Sequence, residues 1–429
     1  MGFANSYLTR HQLFPVHISE PPSGLLNFIV IIPVYLEDNL IETLVSLYNC
    51  ERPKSHVEIF LVFNSSESDP EKIKYRNQKT LDQTKAWLEE KNTNEFRFFI
   101  LHFPDLPKKF AGAGLARKIG MDAAVSRFNQ IDHKKGFILS FDADSNCEPD
   151  YFTTIESAIS ELPEINGFTL YFEHPLTGSE FKPEVYKAVT QYELHMRYYI
   201  QGLRYAGFPY AFHTIGSCFG VTADIYCKQG GMNRRQGGED FYFLHKVIPQ
   251  GNFTEINKTT VYPSPRPSTR VPFGTGPVIQ KLISGTTELE TFHPTIFDEL
   301  KGFIGMTDSF FRKTAEELIP MHRELPQSFQ SFIDQEEFVK SLSEINENCA
   351  SLTSFKKRFF QWFNAFRIFK FLNYCSDKLY PKVKVSEAAR KLLDTLEIMH
   401  DKDISNEEIL KIYRRYQRQN IYSIYPHQQ

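Results

Sequence analysis

The chain has 429 residues, of which 41% are hydrophobic, and its formal net charge is -3 at pH 7. A chain of this length buries a full hydrophobic core and is expected to form about two domains. The nearly balanced charge excludes the broad positive field that nucleic-acid binding requires, so no nucleic-acid partner is expected.

The cysteines and the hydrophobic runs give no sign of a disulfide scaffold or of a membrane span. The six cysteines lie far apart and form no CxxC pair, so we expect them to be reduced. No run of about 18 apolar residues is present, and the N-terminal arm, 1–26, lacks the apolar core of a signal peptide. The sequence therefore predicts a cytoplasmic protein.

The first part of the chain alternates between strand-like and helix-like segments. Two apolar runs, "NFIVIIPVY" (27–35) and "VEIFLVFNSS" (57–66), have the continuous hydrophobicity of strands that are covered on both faces. Between them, "NLIETLVSLYN" (39–49) has apolar residues at helical spacing. The alternation continues with a helix over 71–91, a strand over 96–103, a helix over 112–126 and a strand over 136–142. This order predicts an α/β fold with a doubly wound, mostly parallel sheet.

After residue 150 the pattern becomes mixed and then helical. Strands are predicted over 167–175 and 213–226, with a long aromatic helix over 182–204 between them. From residue 285 onward the strand signals disappear, and amphipathic helical stretches dominate. We therefore place a domain boundary near residue 282, with a helical C-terminal region over 283–429.

Two aspartates follow the strand-like stretch "GFILS" at 136–140. Side chains alternate along a strand, so Asp142 and Asp144 leave on one face, at the end of the sheet where open α/β folds bind ligands. Two such carboxylates repel each other unless a cation lies between them, and hard oxygen ligands suit Mg²⁺ or Mn²⁺. The pattern predicts a divalent metal that holds a diphosphate. The alternative is a strand-end aspartate that caps the following turn.

Four further patterns follow one another along the chain. They are "FIVIIPVYLEDNLIETLVSL", "GAGLARKIGMDAA", "DADSNCEPDYF" and "GGEDFYFLHK". In this order they resemble the first strand and helix, the GxxxARNxG segment, the DxD motif and the ED motif of GT-A-fold glycosyltransferases of the family 2 type. The resemblance implies a Rossmann-like GT-A domain over 27–282. It also implies a hexosyltransferase-type enzyme that uses a nucleotide-diphosphate sugar as donor, with Mn²⁺ or Mg²⁺ on the diphosphate.

The resemblance also assigns catalytic residues. It implies that Asp240 is the general base that deprotonates an acceptor hydroxyl, with inversion at the anomeric carbon, and that Glu239 binds the acceptor or replaces Asp240. Both acids fall in the first turn of a predicted helix, where the helix dipole favours them without any catalytic role. The same dipole is expected to keep Asp240 ionised at neutral pH.

Donor-binding residues are implied in the same way. They are Pro33, Tyr35, Glu37, Asn64, Arg117, Asp142, Arg266 and Arg270. Arg117 either faces the diphosphate or forms a structural ion pair. Asn64 stands where the family has an acidic turn of the VDDGSxD kind, so the nucleotide base remains open. Arg266 and Arg270 lie in the Pro- and Gly-rich loop 262–277, which is either a lid over the diphosphate or an exposed connector.

The segment "SFKKRFFQWFNAFRIFKFLNY" (354–374) mixes basic and aromatic residues. It either lies on an anionic bilayer, as a peripheral contact at the inner face of a membrane, or forms a helix buried against the catalytic domain with its basic residues outward. The acceptor is then a glycan, a lipid-linked molecule or a small molecule. The sequence leaves the oligomeric state open.

Two other functions stay open. One is a non-catalytic nucleotide-sugar binder or scaffold that has kept the fold. The other is a sugar nucleotidyltransferase, but the glycine-rich activation loop of that family is missing, because the first strand leads into "PVYLEDN". The QxxRW segment of processive synthases is missing as well, which favours the addition of a single sugar.

Overall fold

A computed structural model of the chain describes residues 2–268, 270, 274–285 and 288–424. Its strands are β1 Leu26–Val34, β2 His56–Ser66, β3 Phe96–Leu106, β4 Phe137–Ser140, β5 Asn146–Cys147, β6 Gly167–Phe172, β7 Phe219–Thr222, β8 Phe253–Tyr262, β9 Glu290–Thr291, β10 Val383–Lys384 and β11 Ser423–Ile424.

The helices are α1 Asn5–His11, α2 Leu40–Tyr48, α3 Glu71–Leu88, α4 Ala113–Gln130, α5 Tyr151–Glu161, α6 Pro183–Tyr205, α7 Ala223–Lys228, α8 Glu239–Val247, α9 Thr275–Ser284, α10 Pro294–Gly305, α11 Ala315–Arg323, α12 Gln327–Phe332, α13 Gln335–Glu347, α14 Leu352–Trp362, α15 Ala365–Lys378, α16 Val385–Thr395 and α17 Asn406–Gln419. Short 3₁₀ turns cover Ile248–Gln250 and Thr307–Phe310.

One large sheet organises the α/β part of the chain, in the order β11-β8-β6-β7-β4-β1-β2-β3 with β5 beside β8. β1 pairs in parallel with β2 and β4, and β2 pairs in parallel with β3. β7 runs antiparallel between β4 and β6, and β8 is parallel to β6. The predicted α/β fold with a mostly parallel sheet, followed by a C-terminal helical region, is confirmed. The carboxyl ends of β1, β2 and β4 therefore meet at one edge.

The continuous apolar runs form the centre of the sheet because both of its faces are covered. Every residue of β1 from Phe28 to Ile32 is fully buried. The helix α4 lies close on this strand: a Cβ atom at Gly120 would come within 2.5 Å of the Ile31 side chain. This close approach brings the first turns of α4 to the carboxyl edge of the sheet.

The strand predicted over 213–226 is shorter in the structure. Only β7 is extended, because the side chain of Thr222 accepts a hydrogen bond from the backbone nitrogen of Ile225 at 3.3 Å and begins α7. A threonine at this position caps a helix and so ends the strand.

The chain divides into two compact units. Within the described residues, the first takes in residues up to Val189, Thr214–Ile283 and the stretch from Gln417 onward. The second takes in Thr190–His213 and Ser284–Tyr416. The large sheet belongs to the first unit, and the second is mainly helical.

The segment 354–374 forms two helices, α14 and α15, instead of one. The side chain of Asn364 accepts a hydrogen bond from the backbone nitrogen of Arg367 at 3.0 Å and begins the second helix. Most of the aromatic residues of the segment are buried, whereas Phe366 and Phe369 are 37% and 46% exposed. Membrane contact through 354–374 stays a prediction. The aromatic surface that this segment exposes is smaller than the sequence indicated.

An aromatic cluster fills the core of the helical unit. The Phe329 ring stacks on Phe303 at 4.1 Å and on Phe371 at 4.0 Å between ring centroids. Stacked and edge-on rings of this kind contribute beyond their buried area. Among the described helices, none combines the length and the hydrophobicity that a membrane crossing requires.

Candidate functional site

Three carboxylates meet at the carboxyl edge of β1 and β4, which pair in parallel. Asp142 and Asp144 follow β4, and Glu37, which is 2% exposed, follows β1. Burial, together with the negative charges of Glu37 and Asp142, raises the pKa of Asp144 to about 6. Burial is the largest of these effects, and the positive charges of Arg266 and Arg270 oppose it.

Two arginines of the loop after β8 contact these carboxylates. Arg266 forms a bidentate pair with Glu37, at 2.7 and 2.5 Å, and its Nη2 lies 2.8 Å from Asp144 Oδ2. Arg270 Nη1 donates to the carbonyl oxygen of Tyr35 at 2.8 Å and lies 3.2 Å from Glu37 Oε2. Arginine forks of this geometry also suit phosphate oxygens.

The predicted lid, the loop 262–277, is described in part. Residues 269 and 271–273 lie outside the described residues. Arg266 and Arg270 are described, and they tie the loop to the turn after β1. Closure of this loop over a diphosphate stays a prediction.

A buried arginine joins the DxD and ED segments. Arg117 on α4 is 5% exposed, and its guanidinium pairs with Asp142 through Nη2 and with Glu239 through Nη1. Its Nε donates to Ser140 Oγ at 3.1 Å. Arg117 therefore forms structural ion pairs, which was one of its two predicted roles. One of its partners is Asp142, a residue of the predicted metal site. A contact with the diphosphate stays a prediction.

The two acids of the ED segment differ in their surroundings. Glu239 is 3% exposed and is paired with Arg117, whereas Asp240 is half-buried and forms no ion pair within the described part of the chain. A Cβ atom at Gly216 would lie 2.6 Å from Arg117 Nη2 and 3.3 Å from Asp240 Oδ2. The Asp240 carboxylate thus packs against Gly216, where a larger residue would crowd both Arg117 and Asp240.

The expectation that the helix dipole keeps Asp240 ionised at neutral pH was wrong. Burial and the neighbouring charge of Glu239 raise the pKa of Asp240 to about 7, against the opposing effect of Arg117. The dipole is outweighed first by burial and then by the charge of Glu239 in the same first turn of α8. A pKa near the working pH is the value that a general base needs.

The turn that leads into α8 depends on one glycine. Gly238 has a φ of 67°, in the left-handed region that glycine adopts at little cost. This turn sets the direction in which α8 begins and hence the positions of Glu239 and Asp240.

The residues expected to contact the nucleotide lie at the ends of β1 and β2. Pro33 lies within β1, and Tyr35 follows it, with its pKa raised by burial and by its hydrogen bond to Asp69. Asn64 is 3% exposed, and its Nδ2 donates to the carbonyl oxygens of Val34 at 3.0 Å and Val62 at 3.3 Å. The side-chain oxygen of Asn64 is therefore the atom left for a ligand.

Sequence reasoning missed three residues that shape this edge: Ser140, Gly216 and Asn77. Ser140 orients Arg117, and Gly216 allows the backbone to approach Arg117 and Asp240 closely. Asn77 on α3 donates to the carbonyl oxygen of Asn64 at 3.0 Å and accepts from the backbone nitrogen of Leu36 at 2.7 Å. A polar residue that ends the apolar run "GFILS" was the signal for Ser140. Asn77 and Gly216 carry no local signal.

The carboxylates fit a metal that arrives with a ligand. No group of three or more His, Cys, Asp or Glu side chains in the described residues is arranged to hold a metal ion. Asp142 Oδ1 and Asp144 Oδ2 face arginines, whereas their second oxygens accept no hydrogen bond from a described residue. Mg²⁺ is commonly held by one or two carboxylates plus substrate phosphates. The two aspartates suit that arrangement.

No family model and no curated protein matches the chain. Among solved structures, S. aureus TarS 1-349 in complex with UDP-GlcNAc has 14% sequence identity and a TM-score of 0.40, over 75% of this chain and 92% of that chain. The mannosyltransferase PcManGT from Pyrobaculum calidifontis, in complex with GDP-Man and Mn²⁺, has 12% identity and a TM-score of 0.30, over 96% of this chain and 91% of that chain. Because these values are low, the roles proposed below rest on the residues of this chain.

Proposed function

We propose that the chain is a metal-dependent, inverting glycosyltransferase, which moves a sugar from a nucleotide-diphosphate donor to an acceptor hydroxyl. The observation that supports this proposal is the position of Arg117. It contacts Asp142 at the end of β4 and Glu239 beside Asp240 at the start of α8. One buried guanidinium thereby links the carboxylate edge of the sheet to the turn that carries Asp240, whose pKa is near neutrality.

The donor diphosphate is bound at the edge formed by Glu37, Asp142 and Asp144. Asp142 and Asp144 would hold the divalent ion, Mn²⁺ or Mg²⁺, which would supply positive charge to the diphosphate of the leaving group. Arg266 and Arg270 provide further positive charge from the loop after β8. Pro33, Tyr35 and the side-chain oxygen of Asn64 contact the nucleoside.

Asp240 carries the acid–base chemistry. Its ionised carboxylate takes the proton of the acceptor hydroxyl, whose oxygen forms a bond to the anomeric carbon. The bond between that carbon and the diphosphate oxygen breaks, and the nucleoside diphosphate leaves with its electron pair. Attack on the face opposite the leaving group inverts the anomeric configuration. Glu239 holds Arg117 in place and is the alternative base.

A thermal-shift screen tests donor binding. The protein is heated with a panel of nucleoside diphosphates and nucleotide sugars, with and without Mn²⁺. A ligand at 100 times its Kd stabilises the folded state by about 2.7 kcal/mol, a shift that such a screen resolves. We expect at least one nucleotide to raise the Tm in a Mn²⁺-dependent way. No shift with any nucleotide would contradict the proposed function.

A further inference from the structure

Four exposed cations lie on two neighbouring loops next to the ED segment. Lys108 and Lys109 follow β3, and Arg234 and Arg235 precede α8. None of the four forms an ion pair with a carboxylate in the part of the chain that the structure describes. The carboxylate of Glu67 accepts from the backbone nitrogen of Lys108 at 3.1 Å and not from its ammonium group. In a chain of net charge -3, this surface is a local excess of positive charge.

Hydrogen bonds hold the two loops together. The side-chain amide of Gln236 donates to the carbonyl oxygens of Lys108 at 3.2 Å and Ala111 at 3.3 Å. A single side chain from the second loop therefore fixes the first. The four cations consequently form one surface, here called the basic surface, made of Lys108, Lys109, Arg234 and Arg235.

The basic surface is joined directly to the proposed catalytic residues. Asn233 accepts from the backbone nitrogen of Arg235 at 3.1 Å and donates to the carbonyl oxygen of Glu239 at 2.9 Å. A Cβ atom at Gly114 would lie 2.1 Å from the carbonyl oxygen of Arg235 and 3.1 Å from Glu239 Cβ. The loop therefore rests on the first turn of α4, beside the residue that precedes Asp240.

Aromatic rings orient three of the cations. The Arg234 guanidinium carbon lies 4.2 Å from the centre of the Phe110 ring, and Lys109 Nζ lies 5.3 Å from the same ring. Arg235 stacks over Tyr242 at 3.8 Å. A stacked guanidinium keeps its in-plane donors available for the oxygens of an anion. Charged side chains that only face solvent do not need to stack on aromatic rings.

We propose that the basic surface binds the acceptor, and that the acceptor carries phosphate groups. This inference rests on the proposed function. The donor diphosphate has its own cations, Arg266 and Arg270, at the carboxylate edge, whereas the loop of the basic surface contacts Glu239, the residue before the acid that takes the acceptor proton. Paired arginines bind phosphate through bidentate hydrogen bonds, which favours phosphate as the recognised group.

The test compares the double variant Arg234→Gln/Arg235→Gln with a matched control, Lys79→Gln/Lys134→Gln. Both controls are exposed, on α3 and before β4, and the two variants lose the same charge. The probe is fluorescently labelled inorganic polyphosphate, measured by anisotropy over a series of salt concentrations. Far-ultraviolet circular dichroism confirms the fold of each variant.

We expect the wild type and the control to bind polyphosphate, more weakly as salt screens the charges. We expect the Arg234→Gln/Arg235→Gln variant to bind about ten-fold more weakly or worse, because a charge-assisted hydrogen bond is lost at each position. Its Mn²⁺-dependent thermal shift with a nucleotide should be unchanged. Equal polyphosphate affinity in this variant and the wild type would overturn the proposal.

Vesicles separate the two sources of phosphate. Co-sedimentation with phosphatidylglycerol but not phosphatidylcholine vesicles, lost in the Arg234→Gln/Arg235→Gln variant, would assign the phosphate to a lipid headgroup. Binding of polyphosphate without vesicle binding would assign it to a soluble phosphorylated acceptor. A wild type that binds polyphosphate but shows no nucleotide-dependent shift would contradict the proposed function and, with it, the role of the basic surface as an acceptor site.

Discussion

Substitution of Asp240 by Asn keeps the shape of the side chain and removes its basicity. In the structure this carboxylate is half-buried, forms no ion pair with a described residue, and faces Gly216 beside Arg117. If Asp240 takes the acceptor proton, the Asp240→Asn variant should bind the donor normally. Its turnover should fall by roughly 10²–10⁴, the usual contribution of general base catalysis.

The raised pKa of Asp240 also determines how the turnover of the wild type depends on pH. Only the ionised form accepts a proton, and burial with the charge of Glu239 raises the pKa to about 7. Turnover should therefore rise with pH and level off above this pKa. Between pH 8 and pH 5 the ionised fraction falls by about 100-fold, so the rate should fall by a similar factor. The Asp240→Asn variant should lack this acidic limb.

The contribution of Asp240 to protein stability should fall as pH rises, whereas turnover should increase. The folded-state pKa of Asp240 lies above the unfolded value of about 4, so its favourable contribution is complete below pH 4 and is lost as pH rises through 7. Asp240→Asn should therefore melt at a higher temperature than the wild type at pH 8, and this difference should shrink towards pH 4. Both effects are measured over this pH range. The rate of nucleoside diphosphate release reports turnover, and the Tm reports stability. A wild-type rate that is independent of pH from 5 to 8, or full turnover in Asp240→Asn, would refute the assignment.

Three further substitutions test the ion pairs that build the site. Asp144→Asn should abolish Mn²⁺-dependent nucleotide binding in calorimetric titration, and unchanged binding would remove Asp144 from the metal site. Arg117→Met should lower the free energy of unfolding in urea by about 3–5 kcal/mol, because it leaves the buried Glu239 without its partner; a variant as stable as the wild type would contradict this. Arg127→Leu is the control: it breaks the buried pair with Glu58, which keeps Arg97 Nη2 at 3.2 Å, and should lower the free energy of unfolding by a smaller amount. Nucleotide affinity should fall in Arg117→Met and persist in Arg127→Leu, and its loss in both variants would show that destabilisation alone accounts for the effect of Arg117→Met.

The centre of the sheet could be predicted from the sequence because burial on both faces leaves a local signature. The run that forms β1 is apolar without interruption, since no position of it from Phe28 to Ile32 meets solvent. The position of Asp142 and Asp144 just after such a run also predicted that both lie near the carboxyl edge, but β4 ends at Ser140, so the alternation of side chains along the strand does not reach them. These inferences depend on neighbours in the chain, which is why they needed no structure.

The contacts across the site could not be predicted in this way. Arg117 and Glu239 are 122 positions apart, and their pairing depends on how α4 and α8 approach the same edge of the sheet. The pKa of Asp240 depends on burial, which the letters "GGED" do not show. The helix dipole and the neighbouring charge of Glu239 were both visible in the sequence, whereas burial, the largest effect, was not.

The helical unit shows that the boundaries of units and helices are also hard to predict from the sequence. Residues Thr190–His213 belong to it although α6 runs without a break from the first unit. No change of composition marks that crossing, since a continuous helix needs none. In 354–374 the cap at Asn364 is visible as a single asparagine, but the surrounding aromatic residues have the pattern of one continuous helix.

The transfer reaction itself is tested most directly by nuclear magnetic resonance of the sugar that the protein releases. The nucleotide sugar found in the thermal-shift screen is incubated with the protein and Mn²⁺, with water as the acceptor, and the anomeric proton is followed from the first minutes. We expect nucleoside diphosphate and a free sugar whose first-formed anomer is inverted relative to the donor, with Asp240→Asn as the inactive control. A first-formed anomer of retained configuration would contradict the inverting mechanism. Tight binding of the donor without any release of sugar would instead identify the chain as a non-catalytic binder.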